Sequence, residues 1–113
     1  MEDLTKMKCK PCEGGVDPLT AEEVQELMPQ LHDAWIYDQA AARIERKFSF
    51  PAYGRTMAFV NAIAWVATTE GHHPDLKVSY GSCGVQYQTH AINGLSINDF
   101  ICAAKIDRLA EEQ

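Results

Sequence analysis

The chain is predicted to fold as α+β, a four-stranded antiparallel sheet with three helices packed on one face, in the order α-β-β-α-β-β-α. Three observations lead there. Segments of period-two alternation arrive as two pairs joined by turn-forming stretches. Segments with apolar residues at helical spacing precede, separate and follow those pairs. The length of 113 residues suffices for one ordinary domain with a core and not for two. Strands delivered as hairpins lie side by side and antiparallel, and the helices between them cover the apolar face.

In chain order, residues 1–18 read as an irregular N-terminal arm. Cys9-Lys10-Pro11-Cys12-Glu13-Gly14-Gly15 shows no apolar periodicity, and Asp17-Pro18 follows it. The domain proper, 19–113, begins near Leu19. Thr20 and Glu23 form a capping-box sequence, followed at helical spacing by Val24, Leu27, Met28 and Leu31, with Pro29 expected to shorten or kink the last turn. Trp35-Ile36-Tyr37 has the aromatic and β-branched content of a short strand. After a turn, Ile44, Phe48 and Phe50 share one face of a second strand and Arg43, Glu45, Lys47 and Ser49 the other. Arg46 is the one charged residue on the apolar face.

A long helix opens after Pro51, with Met57, Val60, Ile63, Ala64 and Ala67 as its apolar set, and stops at Gly71. Pro74 keeps helix from resuming, so His72 and His73 are loop residues on a rigid support. Leu76, Val78 and Tyr80 form one strand, Gly81-Ser82-Cys83-Gly84 the turn, and Val85, Tyr87 and Thr89 the inward residues of the next. Gln86, Gln88 and His90 then face the other way. Asn93-Gly94 turns the chain again, and Ser96 with Asp99 caps a final helix carrying Phe100, Ile101, Ala104 and Leu109.

The net charge of −6 and pI near 5.1 argue against a nucleic-acid surface. No signal-peptide core and no membrane-length apolar run occurs in the sequence, so a cytoplasmic protein that engages no membrane is expected. In that setting the four cysteines are expected as free thiols rather than structural disulfides.

Three of the four histidines, His72, His73 and His90, gather around one hairpin, and imidazole titrates nearest neutrality. A proton-transfer site is therefore the leading chemistry. Zinc is the competing one, because Cys9 and Cys12 have ligand spacing, but one Cys-x-x-Cys is half of a structural site and adjacent histidines point in different directions. No metal is expected. Cys9 and Cys12 also have the spacing of a redox dithiol but lack the βαβ setting, which favours an exposed arm with incidental thiols. Cys102 reads as a small core residue and Glu70 as a solvated helix-end residue. Trp35 reads as core or cleft wall, and Asp99 has a structural role at the helix start.

Glu70-Gly71-His72-His73-Pro74, then Tyr80, Thr89-His90, Gly94-Leu95-Ser96 and Asp99, together with Trp35 and Phe48-x-Phe50, resembles the pterin-4a-carbinolamine dehydratases from Leu19 onward. The resemblance implies an enzyme, a hydro-lyase that removes the 4a-hydroxyl of 4a-hydroxytetrahydrobiopterin to give quinonoid dihydropterin, with no cofactor or metal. It implies His72, His73 and His90 as the active site, Pro74 shaping the loop, Trp35 lining the cleft and Asp99 supporting it. Glu70 joins these as a candidate supporting group. The sequence departs from the family pattern at Thr68, four residues before His72, where the family has an ionisable residue. The implied partners are a pterin substrate, an aromatic amino acid hydroxylase of the same pathway, and further copies of the chain in a homodimer or homotetramer. The same resemblance also admits a non-catalytic dimerisation module of a transcription factor, or a related protein of molybdopterin metabolism.

Overall fold

In the computed structural model, which describes residues 2–11 and 15–111, the first helix begins where Thr20 and Glu23 place it. The Thr20 hydroxyl accepts from the Glu23 amide and the Glu23 carboxylate from the Thr20 amide, so two otherwise orphaned donors are satisfied reciprocally. Helix α1 spans Ala21–Leu27 and continues as a 3-10 turn, Met28–Gln30, because Pro29 has no amide to extend the α pattern. Strands β1 (Ile36–Asp38) and β2 (Arg43–Ser49) follow, then α2 (Tyr53–Glu70), β3 (Asp75–Ser79), β4 (Ser82–Tyr87) and α3 (Ile97–Glu111). The sheet is antiparallel throughout, in the order β1-β2-β4-β3. This is the α+β architecture expected from the alternating hairpins and helices.

Two expected positions shift. The β3–β4 turn falls at Tyr80-Gly81, and Ser82, Cys83 and Gly84 belong to β4. Gly84 is flanked by Lys47 and Lys77 within the sheet, so it is an interior strand glycine rather than a turn residue. At the other end β4 stops at Tyr87, and His90 opens a 3-10 turn, His90–Ile92, closed by Asn93 in the left-handed region and by a Thr89–Gly94 bridge. His90 is therefore not a strand residue.

The register places Ile44 beside Tyr87, and Phe48 beside Cys83. With Val85 these side chains make the inner face, and all are buried. The face of α2 turned towards them carries Thr56, Phe59, Ile63 and Val66; of the expected set of Met57, Val60, Ile63, Ala64 and Ala67, Ile63 is buried as expected and the others lie to one side of that face. Nearly every side of this helix is apolar or small, so spacing alone underdetermines its orientation. The bulky Phe59, packed on Phe48 and Phe50 with ring centroids 4.7 and 5.1 Å away, decides it. Edge strand β3 also departs from alternation, since Leu76, Val78 and Tyr80 are all exposed. It lies at the margin of the sheet.

Helix α3 is buried on almost every side, from Asn98 through Ala104 and again at Ile106 and Asp107. One reason is the N-terminal arm, which packs on it with a 3-10 turn, Leu4–Lys6, and leaves Leu4 only 1% exposed. The other is Asp107, whose carboxylate accepts from Arg46 and the Trp35 indole at 2.7 Å each and from the His32 amide at 2.8 Å. The charged exception on the inner face of β2 is thus neutralised from α3. The Arg46 guanidinium also lies 4.1 Å from the Phe48 ring centroid, a geometry favourable to a cation. Cutting Asp107 back to Ala would strand a largely buried cation and an indole donor. The expected loss for Asp107→Ala is about 3–5 kcal/mol of unfolding free energy, read from urea denaturation, and a change under about 0.5 kcal/mol, the scale of ordinary surface substitutions, would refute this account.

Candidate active site

Gly71 ends α2 in the left-handed conformation, φ 68°, and the His72 amide donates to the Ala67 carbonyl at 3.1 Å. That is the closing bond of a Schellman turn. It fixes the backbone of His72 immediately beyond a long rigid helix. Helix α3 begins on the other side of the same region. The Asp99 side chain there is fully buried, and its Oδ2 accepts from the Ser96 amide at 2.9 Å and from the Thr89 hydroxyl at 2.8 Å. Only half of the capping box expected from Ser96 and Asp99 forms. The Ser96 hydroxyl turns instead to Thr89, 2.7 Å away.

The remaining oxygen of Asp99, Oδ1, lies 2.6 Å from His72 Nε2. A short contact between a buried carboxylate and imidazole is a charge-assisted hydrogen bond. Burial works against the charged imidazole, but the hydrogen bond and negative charge of Asp99 outweigh it, and the His72 pKa is raised above its ordinary value. The ring is held from a second direction by Tyr87, nearly parallel to it at 16° with centroids 5.5 Å apart. Nδ1 has no protein partner among the described residues, so one ring nitrogen is anchored and the other is free.

His72, His73 and His90 line one cleft of about 230 Å³ with Gly71, Gln88 and Asn98. The three histidines differ in setting. His72 is the restrained one, whereas His73 is exposed, with Nδ1 3.4 Å from the Pro74 carbonyl oxygen. The His90 side chain is 64% exposed, and its Nε2 is 3.9 Å from Asp75. Gln88 donates to the carbonyls of Ala41 and Ala42, which ties the cleft wall to the β1–β2 turn.

The other sequence candidates fall elsewhere. Trp35 is buried, edge-on to Phe48, and bonded to Asp107; it does not line the histidine cleft. Glu70 is not solvated as expected. Its carboxylate accepts from the Cys9 amide at 2.8 Å and pairs with Lys105 at 2.9 Å, so it secures the arm and does not orient a histidine. Thr68 is exposed. Thr89, Tyr87 and Asn98 received no role from the sequence. For Thr89 the available signal was a hydroxyl at an inward position of an apolar alternation. Cys12 lies outside the described residues, so the Cys-x-x-Cys is described at Cys9 alone. A larger trough of about 530 Å³ crosses the sheet over Gly84, between Lys47 and Lys77, and contains no histidine.

Fold and cleft together define a small α+β domain built around a carboxylate-oriented imidazole, the composition of a proton-transfer site. The chain belongs to the pterin 4 alpha carbinolamine dehydratase family, whose family model matches residues 17–109, and with it to a family of hydro-lyases. Curated relatives bearing a provisional pterin-4-alpha-carbinolamine dehydratase name are 61% identical in Nitrosomonas europaea (95% of this chain, 93% of the relative) and 52% identical in Legionella pneumophila strain Paris (95% of each). A Brucella melitensis crystal structure described as a transcriptional coactivator/pterin dehydratase superposes with a TM-score of 0.78 at 29% identity, covering 83% of this chain and 99% of that one. A pterin dehydratase-like RuBisCO assembly factor of the alpha-carboxysome shares the fold, at 22% identity and a TM-score of 0.61, over 70% of this chain and 92% of that one.

Because the folded-state pKa of His72 lies above its ordinary value of 6.5, the pair with Asp99 stabilises the fold fully below that value. The contribution is lost as pH rises through the raised folded-state value. In Asp99→Asn, the His72 titration followed by NMR is expected to move to lower pH, and the fall in stability across neutrality to flatten. An unmoved His72 midpoint would show that Asp99 does not hold the proton.

Proposed function

We propose that the cleft lined by His72, His73 and His90 converts a 4a-hydroxytetrahydropterin to the quinonoid dihydropterin and water, the substrate being the carbinolamine that aromatic amino acid hydroxylases release. The observation that carries this reading is the buried His72–Asp99 pair opening onto a cleft with two exposed imidazoles. Dehydration requires a proton delivered to the leaving 4a-oxygen and another removed from a ring nitrogen, and imidazoles near neutrality can do both. His72, with Nε2 anchored and its charged form favoured, is suited to deliver the first. His90, exposed at the same cleft, is suited to accept the second. His73 orients the pterin, Pro74 holds the loop open and Asp99 positions His72. The cleft is smaller than the usual small-molecule site of about 300–1,000 Å³, which suits entry of the flat ring with its substituent left outside.

Each member of an acid/base pair contributes about 10²-fold or more. His72→Ala and His90→Ala are therefore each expected to slow carbinolamine decay, followed by ultraviolet absorbance, by that factor, with His73→Ala acting mainly on KM. Unchanged rates in both of the first two variants would sink the assignment.

The same reading includes self-association. The outer edge of β3 leaves backbone donors and acceptors unpaired beside exposed Leu76, Val78 and Tyr80, and pairing with a second copy is a direct way to cover such an edge. Sedimentation equilibrium is expected to return a multiple of the 12.6 kDa chain mass. A monomer at micromolar concentration would rule this out.

A further inference from the structure

The arm that covers α3 is held there by a compact set of polar contacts that the chemistry above does not use. Asn98 clamps Lys10 from both sides, accepting from its amide at 3.1 Å and donating to its carbonyl at 2.7 Å. Glu70 takes the Cys9 amide. Between these two anchors the Cys9 sulfur is brought within 3.5 Å of Cys102 Sγ, across 93 positions of sequence. Cys102 is fully buried at the inner end of the contact and lies 3.9 Å from the His72 carbonyl oxygen. Cys9, at the outer end, is half-buried and reachable from solvent.

We propose that Cys9 and Cys102 form a reversible dithiol–disulfide site, oxidised by exchange with a low-molecular-weight disulfide of the glutathione type, which fastens the N-terminal arm covalently to α3 behind His72. A disulfide has an S–S distance of about 2.05 Å, so the sulfurs must close by about 1.5 Å from their present separation. Cys9 sits on an arm held only by non-covalent contacts, which leaves it free to make that movement.

The exchange proceeds in two displacements. Cys9 attacks one sulfur of the small disulfide as its proton passes to Cys102 Sγ, 3.5 Å away, forming a mixed disulfide and releasing the first small thiol. Cys102 then attacks the Cys9 sulfur as thiolate, breaking the mixed bond and releasing the second. Two protein thiols are oxidised, one small disulfide is reduced to two thiols, and the two protons leave with them. Access sets this division of roles, because Cys9 is the sulfur reachable from solvent and Cys102 is buried beside it. The hydrogen bond from Cys9 draws the Cys102 pKa down, with the neighbouring His72 acting in the same direction against burial, while the contact with Cys102 pushes Cys9 up. In the reduced pair the negative charge therefore rests on Cys102, which can take up the Cys9 proton as Cys9 attacks, and in the mixed disulfide Cys102 lies next to the sulfur it must reach.

The test is independent of dehydratase activity. The full chain is equilibrated in glutathione buffers of rising oxidised fraction, trapped by alkylation, and examined by intact mass and peptide mapping. The expected product is lighter by two hydrogens, carries a Cys9–Cys102 cross-linked peptide, reverts in dithiothreitol, and melts several degrees higher than the reduced chain. Cys12→Ser is expected to behave like the wild type. Cys102→Ser is expected to stop at one glutathione on Cys9, and Cys9→Ser to remain unmodified at Cys102. A Cys9–Cys12 peptide in the wild type, a glutathione adduct that persists there, or no change in mass would each overturn the proposal.

Discussion

The arrangement of the cleft depends on one buried carboxylate. Asp99 is fully removed from solvent, and an isolated anion there would be strongly unfavourable. It is tolerated because three donors from three parts of the chain meet it: the Ser96 amide at the start of α3, the Thr89 hydroxyl after β4, and the imidazole of His72 after α2. Each donor brings its own segment, so satisfying a single charge sets the relative positions of two helix ends and a strand end. Loss of any one donor would leave the carboxylate under-satisfied, and for this reason the site and the fold cannot be varied independently at this point.

Helix α3 repeats the arrangement at its other end. Asp107 gathers Arg46, Trp35 and the His32 backbone much as Asp99 gathers its three donors. Between the two carboxylates the helix is apolar and buried, packed against α2 and against the arm. Its two acidic residues therefore fix its axial position and rotation, which hydrophobic packing, being non-directional, does weakly. Asp99 can then present a fixed oxygen to His72, because the helix carrying it is itself held at both ends.

Much of this was legible from residue patterns where a local rule has a local cause. The reciprocal cap at Thr20 and Glu23 and the stop at Gly71 depend on nearby chain chemistry and appear as expected, and the β3–β4 hairpin brings His90 to the cleft of His72 and His73. The failures have non-local causes. Gly84 resembled a turn residue because its place between Lys47 and Lys77 depends on strand register. Glu70 resembled a solvated residue because its partner Lys105 and the Cys9 amide are 35 and 61 positions away. Trp35 was assigned to the cleft through the resemblance, yet the partner of its indole is on α3. Arg46 stood out as a charge on an apolar face, and that anomaly was itself the signal of a buried partner, although nothing in the spacing identified Asp107 as the partner.

The three histidines illustrate how a small fold gives different settings to chemically identical groups. Exposure and anchoring change in parallel across the cleft: His72 has a carboxylate at one nitrogen and an aromatic ring against its face, while His73 and His90 are open to solvent with only loose polar neighbours. A group that donates a proton in a transition state gains from being pre-oriented, since little reorganisation is then left to the reaction step. A group that accepts a proton and passes it to bulk water gains from access instead. A buried carboxylate behind one imidazole, and none behind the others, is enough to create that asymmetry.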